Sequence, residues 1–124
     1  YDKIQLFGTW DNWTPTFSSN GMTINSWTAS YATYSTIGKL VFIRIQASGN
    51  ITASANTQMR FTLPVTSSAT LYDESFSCQA YDGTTDFFPM GRWLAANTVM
   101  VARIGANWGI ANNEFTCSGF YKAS

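Results

Sequence analysis

Residues Val41, Ile43, Ile45 and Ala47 place an apolar side chain at every second position. A period of two fits a β-strand with one buried face. The alternate set, Leu40, Phe42, Arg44 and Gln46, starts apolar and ends polar, so part of that face should meet something other than water. Upstream, Tyr31 to Ile37 reads as a neighbouring strand that turns at Ile37-Gly38-Lys39. This pair alone points to an all-β fold.

Turn signals recur at short intervals: Ser19-Asn20-Gly21, Ser48-Gly49-Asn50, Asp82-Gly83, Gly105-Ala106-Asn107 and Asn112-Asn113. Short runs rich in Val, Ile, Thr, Phe and Tyr lie between them, as in an antiparallel, jelly-roll-like β-sandwich. Strands are expected over 22–28, 29–37, 39–47, 57–63, 75–82, 86–92, 97–104 and 113–121. Both faces of 97–104 are apolar, so it reads as a central strand, with Trp93 to Ala96 as a turn. Met59, Phe61 and Leu63 point inward and Gln58, Arg60 and Thr62 outward. A hairpin of 39–47 with 57–63 would set Arg44 beside Arg60. Two like charges side by side call for an anion or a partner carboxylate, unless both are simply solvated.

The 124 residues make one domain, 1–124, large enough to bury about two-thirds of its unfolded surface. Only 11% of residues are charged, against about 25% in ordinary globular chains, which suits a secreted or virion protein or a face hidden in an oligomer. Seven basic and seven acidic residues cancel, leaving no basic patch for nucleic acid. No apolar run suggests membrane insertion. The chain opens on Tyr1 rather than Met and reads as a piece of something longer. Cys78 and Cys117 each sit in an alternating apolar set. They read first as buried free thiols; a disulfide is the alternative. Two cysteines without histidine make a poor metal site, and no metal or cofactor is expected.

Trp10, Trp13-Thr14-Pro15-Thr16-Phe17, the polar Gly21 to Ile24 turn region, Tyr31, Tyr34, Ile37-Gly38-Lys39, Leu63-Pro64 and Gly119-Phe120-Tyr121 occur in an order that carries a family resemblance. The order resembles that of the small β-sandwich domains at the distal ends of bacteriophage tail fibres, tailspikes and receptor-binding proteins. It covers roughly residues 10–65 and the last ten, and leaves 66–112 unmatched. The resemblance implies a virion protein, a homotrimer about a threefold axis, and recognition of a host cell-surface glycan through exposed loops or intersubunit grooves.

Catalysis finds little support. The chain has no histidine, the usual general base. Asp82 and Asp86 form the one local carboxylate pair, and Asp82-Gly83 is equally a turn dipeptide. The same turn lacks a full calcium ligand set. Aromatics are the better source of function, since a ring face stacks on a sugar while nearby polar groups bond its hydroxyls. Five tryptophans and six tyrosines exceed what a small core easily hides. Arg92, Trp93, Asn107 and Trp108 are the expected ligand contacts, with Tyr81, Asp82 and Asp86 as a second cluster. Trp10 and Trp13 read as structural, and Trp27 as packing between strands. Two further readings share this fold: a capping or trimerisation module that binds nothing, and a polysaccharide hydrolase.

Overall fold

The computed structural model describes residues 9–19, 24–51, 58–68, 75–95, 97–103, 108 and 112–124. These form ten strands: β1 (Asp11–Asn12), β2 (Phe17–Ser19), β3 (Ile24–Ile37), β4 (Leu40–Ile51), β5 (Gln58–Thr62), β6 (Ser75–Tyr81), β7 (Asp86–Phe87), β8 (Met90–Ala95), β9 (Thr98–Ala102) and β10 (Asn113–Lys122). They join in one sheet, ordered β1-β3-β4-β10-β6-β8-β9-β5-β2, with β7 on β6. Every pairing is antiparallel. The sheet curls until strands from its two ends approach, with Phe17 of β2 and Trp27 of β3 at 6.0 Å between ring centroids. The fold is therefore all-antiparallel and sandwich- or barrel-like.

The period-two reading of β4 holds. Val41, Ile43, Ile45 and Ala47 are buried, while Leu40 and Arg44 are exposed. Each such aliphatic side chain taken from water contributes about 1.5–3 kcal/mol, which locks the register because a one-residue slip would expose the whole set. The β3–β4 hairpin closes where expected, with Ile37 opposite Leu40. Gly38 takes φ +58°, the left-handed conformation that a two-residue hairpin turn demands of its first central residue. Met59, Phe61 and Leu63 also point inward. β9 is buried on both faces, from Val99 through Ala102.

Several expectations are corrected. The two strands expected over 22–28 and 29–37 are one strand, β3, with a register shift between Ala29 and Tyr31. An extra residue there bends the strand without ending its ladder. The expected hairpin of 39–47 with 57–63 does not form: β4 pairs β3 and β10, whereas β5 pairs β9 and β2. The tight Gly38 turn already supplies β4 with a local partner. Arg44 instead lies over the Tyr31 ring at 5.3 Å, and Arg60 donates from Nη2 to Gln58 Oε1 at 3.0 Å. The run 86–92 splits into β7 and β8 at Phe88-Pro89, because proline has no N–H to offer a ladder. Trp93 to Ala95 continue β8 rather than forming a turn. Two short strands, β1 and β2, were not expected at all.

The cysteines are bonded, which overturns the free-thiol reading. Cys78 on β6 lies directly opposite Cys117 on β10, with Cα atoms 4.2 Å apart. Alternating apolar patterning brings both inward, and strand pairing does the rest. Gly91 on β8 leaves the room: a Cβ there would come within 2.7 Å of Cys78 Sγ.

One end of the curled sheet is closed by hydrogen bonds. Tyr121, buried, donates its hydroxyl to the Val65 carbonyl at 2.7 Å and accepts from the Val65 N–H at 3.2 Å. Ser68 N–H reaches the Lys122 carbonyl at 2.8 Å, and Ala123 N–H the Lys39 carbonyl at 2.7 Å. Outside, Ile37, Leu40 and Phe120 are exposed, and Phe42 packs on Phe120 at 5.9 Å. The register places these four on adjacent strands β3, β4 and β10, so an apolar patch occupies one end of the outer face.

The bridge joins residues 39 apart in sequence, and loop-closure entropy for such a span is about 3–4 kcal/mol. Cys78→Ser with Cys117→Ser is therefore expected to lower stability in urea unfolding by about that amount.

Candidate functional site

The segment from Asp11 to Ser19 builds one wall of a cavity. It starts along β3, with Asp11 opposite Tyr34, Asn12 opposite Thr33, and Trp13 N–H on the Ala32 carbonyl at 3.0 Å. At Thr14-Pro15 it leaves. Pro15 is buried and carries no N–H, so it cannot extend the ladder. The chain then crosses to β5, where Thr16 N–H meets Thr62 Oγ1 at 2.8 Å and Thr62 N–H meets the Thr16 carbonyl at 3.1 Å. Phe17 follows opposite Phe61.

This crossing leaves a cleft of about 500 Å³ between the segment 12–17 and residues 27–32 of β3. The volume falls within the range of small-ligand sites. Trp13, Phe17, Trp27 and Tyr31 give it aromatic walls, and Asn12, Thr14, Thr28 and Ser30 supply polar groups that are all exposed. Trp13 is held by its indole N–H on the Thr62 carbonyl at 2.9 Å and by an edge-on contact with Tyr34 at 6.2 Å. Trp27 is only 9% exposed, yet its buried Nε1–H has no hydrogen-bond partner. Such a donor costs about 1–3 kcal/mol when left unsatisfied, and the Trp27 ring packs inward against Trp108 and Phe115.

A second concavity surrounds Tyr81, which is 39% exposed. Tyr81 lies opposite Glu114 on one side and Asp86 on the other. A cavity of about 120 Å³ adjoins it beside Gln79, Asp86 and Thr116, and one of about 340 Å³ beside Ser48, Asn50 and Asn112. Asn50 Oδ1 accepts from Asn112 N–H at 3.0 Å, and Gln46 Nε2 donates to Glu114 Oε1 at 2.7 Å.

Asp82, expected as a ligand contact beside Tyr81, is occupied otherwise. Its Oδ1 accepts from the Thr84 and Thr85 N–H groups at 3.0 and 2.7 Å, and its Oδ2 from Arg103 at 2.6 Å. Arg103 in turn lies over the Phe87 ring at 4.1 Å. The Thr85 N–H first, and then Arg103, hold the Asp82 carboxyl below its ordinary value near 3.8. Asp82 thus shapes the turn that presents Asp86, which is itself exposed.

In the other expected cluster the structure places Trp108 in the core. Trp108 is 0% exposed and packs among Phe87 at 5.1 Å, Trp27 at 6.2 Å and Phe115 at 6.3 Å. It is a core residue and no platform for a ligand. Asn107 lies outside the described residues. Arg92 is exposed on β8 opposite Met100, and Trp93 continues that strand opposite Val99. Gly91 pairs with Phe76, five residues along β6 from Tyr81, so the Arg92 end of the first cluster is about 17 Å from Tyr81 at a strand's rise per residue, whereas Trp108 packs on Phe87 beside Asp86. The cleft aromatics were passed over because Trp13 and Trp27 do pack structurally. The available signal was Pro15, a ladder-breaking residue set between two aromatics.

Among the described residues no group of three or more Cys, Asp or Glu side chains could hold a metal ion. No family model, no curated protein and no solved structure matches the chain.

Trp108→Ala is expected to cost about 3–5 kcal/mol, as truncating a buried large aromatic does, and to show as a lower unfolding midpoint. A carboxylate whose folded pKa lies below its unfolded value adds stability above that unfolded value and loses it as pH falls through the folded one. Asp82→Asn should therefore be less stable than the parent at neutral pH, and the two melting curves should converge as pH falls below 3.8 toward the lowered folded value.

Proposed function

We propose that this chain is a non-catalytic saccharide-binding domain, of the kind that tips phage tail fibres and tailspikes and attaches the virion to a host-surface glycan. The observation that carries the reading is the cleft of about 500 Å³ walled by Trp13, Phe17, Trp27 and Tyr31 and rimmed by hydroxyls and amides. Aromatic walls take the apolar face of a sugar, and a few placed polar groups set its orientation. Tyr81 with Asp86, Glu114 and Asn50 offers a second, shallower contact area. The order of sequence motifs supports the viral context. The apolar patch of Ile37, Leu40, Phe42 and Phe120 suits contact between copies, as a homotrimer requires, and tethered copies raise weak single-site affinity.

A capping module that binds nothing would use the same outer patch and leave the cleft without a role. Hydrolysis fits less well, because Asp82, one half of the local carboxylate pair, is committed to Arg103 and the turn. The disulfide favours one variation, a secreted saccharide-binding domain, since such bonds persist in oxidising compartments.

Tyr31 tests the reading without threatening the core, being half-buried at the cleft. Tyr31→Ala should weaken binding to host-surface polysaccharide about tenfold, equivalent to about 1.4 kcal/mol. The unfolding midpoint and the mass by light scattering should stay unchanged. Unaltered binding would remove the cleft from the proposal.

A further inference from the structure

Resting on the saccharide-binding reading, we infer that the cleft selects an uncharged glycan and holds it in part through the backbone edge of β3 that no described strand covers. From Asn12 through Gly38 the chain contains no Asp, Glu, Lys or Arg and has eleven Ser and Thr residues. Both walls of the cleft come from this stretch. A carboxylated or phosphorylated sugar would find no opposite charge on them, and desolvating an unpaired charge is unfavourable. Arg44 lies with its guanidinium over the Tyr31 ring at 5.3 Å.

The backbone adds a second argument. β1 and Trp13 N–H cover the β3 edge only as far as Ala32. Among the described residues no strand pairs with that edge from Trp27 to Tyr31. An open edge presents both donors and acceptors, and a polyol carries both at every hydroxyl. A peptide strand would also use such an edge, but it needs an unbroken two-residue spacing. The register shift between Ala29 and Tyr31 interrupts that spacing in the middle of the cleft. Hydroxyls on a sugar ring have no such register to keep.

Calorimetry on the full chain tests the inference with glucose- and galactose-based oligosaccharides, their uronate counterparts, and an extended polar peptide. The neutral sugars should bind, with Kd changing less than about twofold between about 0.05 and about 0.5 M NaCl, because no ion pair is screened. Preference for the uronates, falling with salt or with Arg44→Gln, would overturn the uncharged class and leave saccharide binding intact. Binding of the peptide alone, or of none of the probes, would overturn the saccharide reading together with this inference.

Discussion

Two rows of edge hydrogen-bonding groups have to be satisfied when a sheet curls without closing. In this domain one short segment serves part of both. Trp13 gives its backbone N–H to β3 and its indole N–H to the Thr62 carbonyl at the end of β5. Thr16 and Phe17 then complete the attachment to β5. The curl of the sheet, the burial of Phe17 against Trp27 and the cleft itself all follow from that crossing. A chain that stayed on either edge would leave the other exposed and the interior wet.

The interior is organised around aromatic contacts. Phe115 on β10 stacks on Phe61 at 5.8 Å and meets Trp27 at 5.5 Å, so it links the middle of the sheet to strands near both ends. Trp108 fills the space between Trp27 and Phe87. Such rings bury large areas with few rotatable bonds. The disulfide adds covalent closure between β6 and β10, where paired strands already align.

Strand identity and facing were legible because a period of two leaves few options: β4, β5 and β9 match their patterns residue for residue. Pairing was less legible, since alternation shows which way a side chain points and says nothing of which strand lies beside it. Hence the hairpin of β4 with β5 failed, while the β3–β4 hairpin held through Gly38. The site was least legible. Trp108 sits among Gly and Asn residues in sequence and looked exposed, yet neighbours distant in the chain cover it completely. Cys78 and Cys117 showed the same limit, because only the β6–β10 register makes them neighbours. Tyr81 and Asp86 did come together, as their short separation across a turn required.

The break at Pro15 separates two demands that usually conflict. Width and depth of the slot are fixed by backbone attachments at Trp13 and Thr16, whereas Thr14, Thr28 and Ser30 line it from exposed positions. Under the proposed function, exchanging those three side chains would alter what the slot accepts and leave the attachments alone. A lineage under pressure to follow a changing partner could therefore explore new specificities one residue at a time, on a scaffold that registers none of the changes.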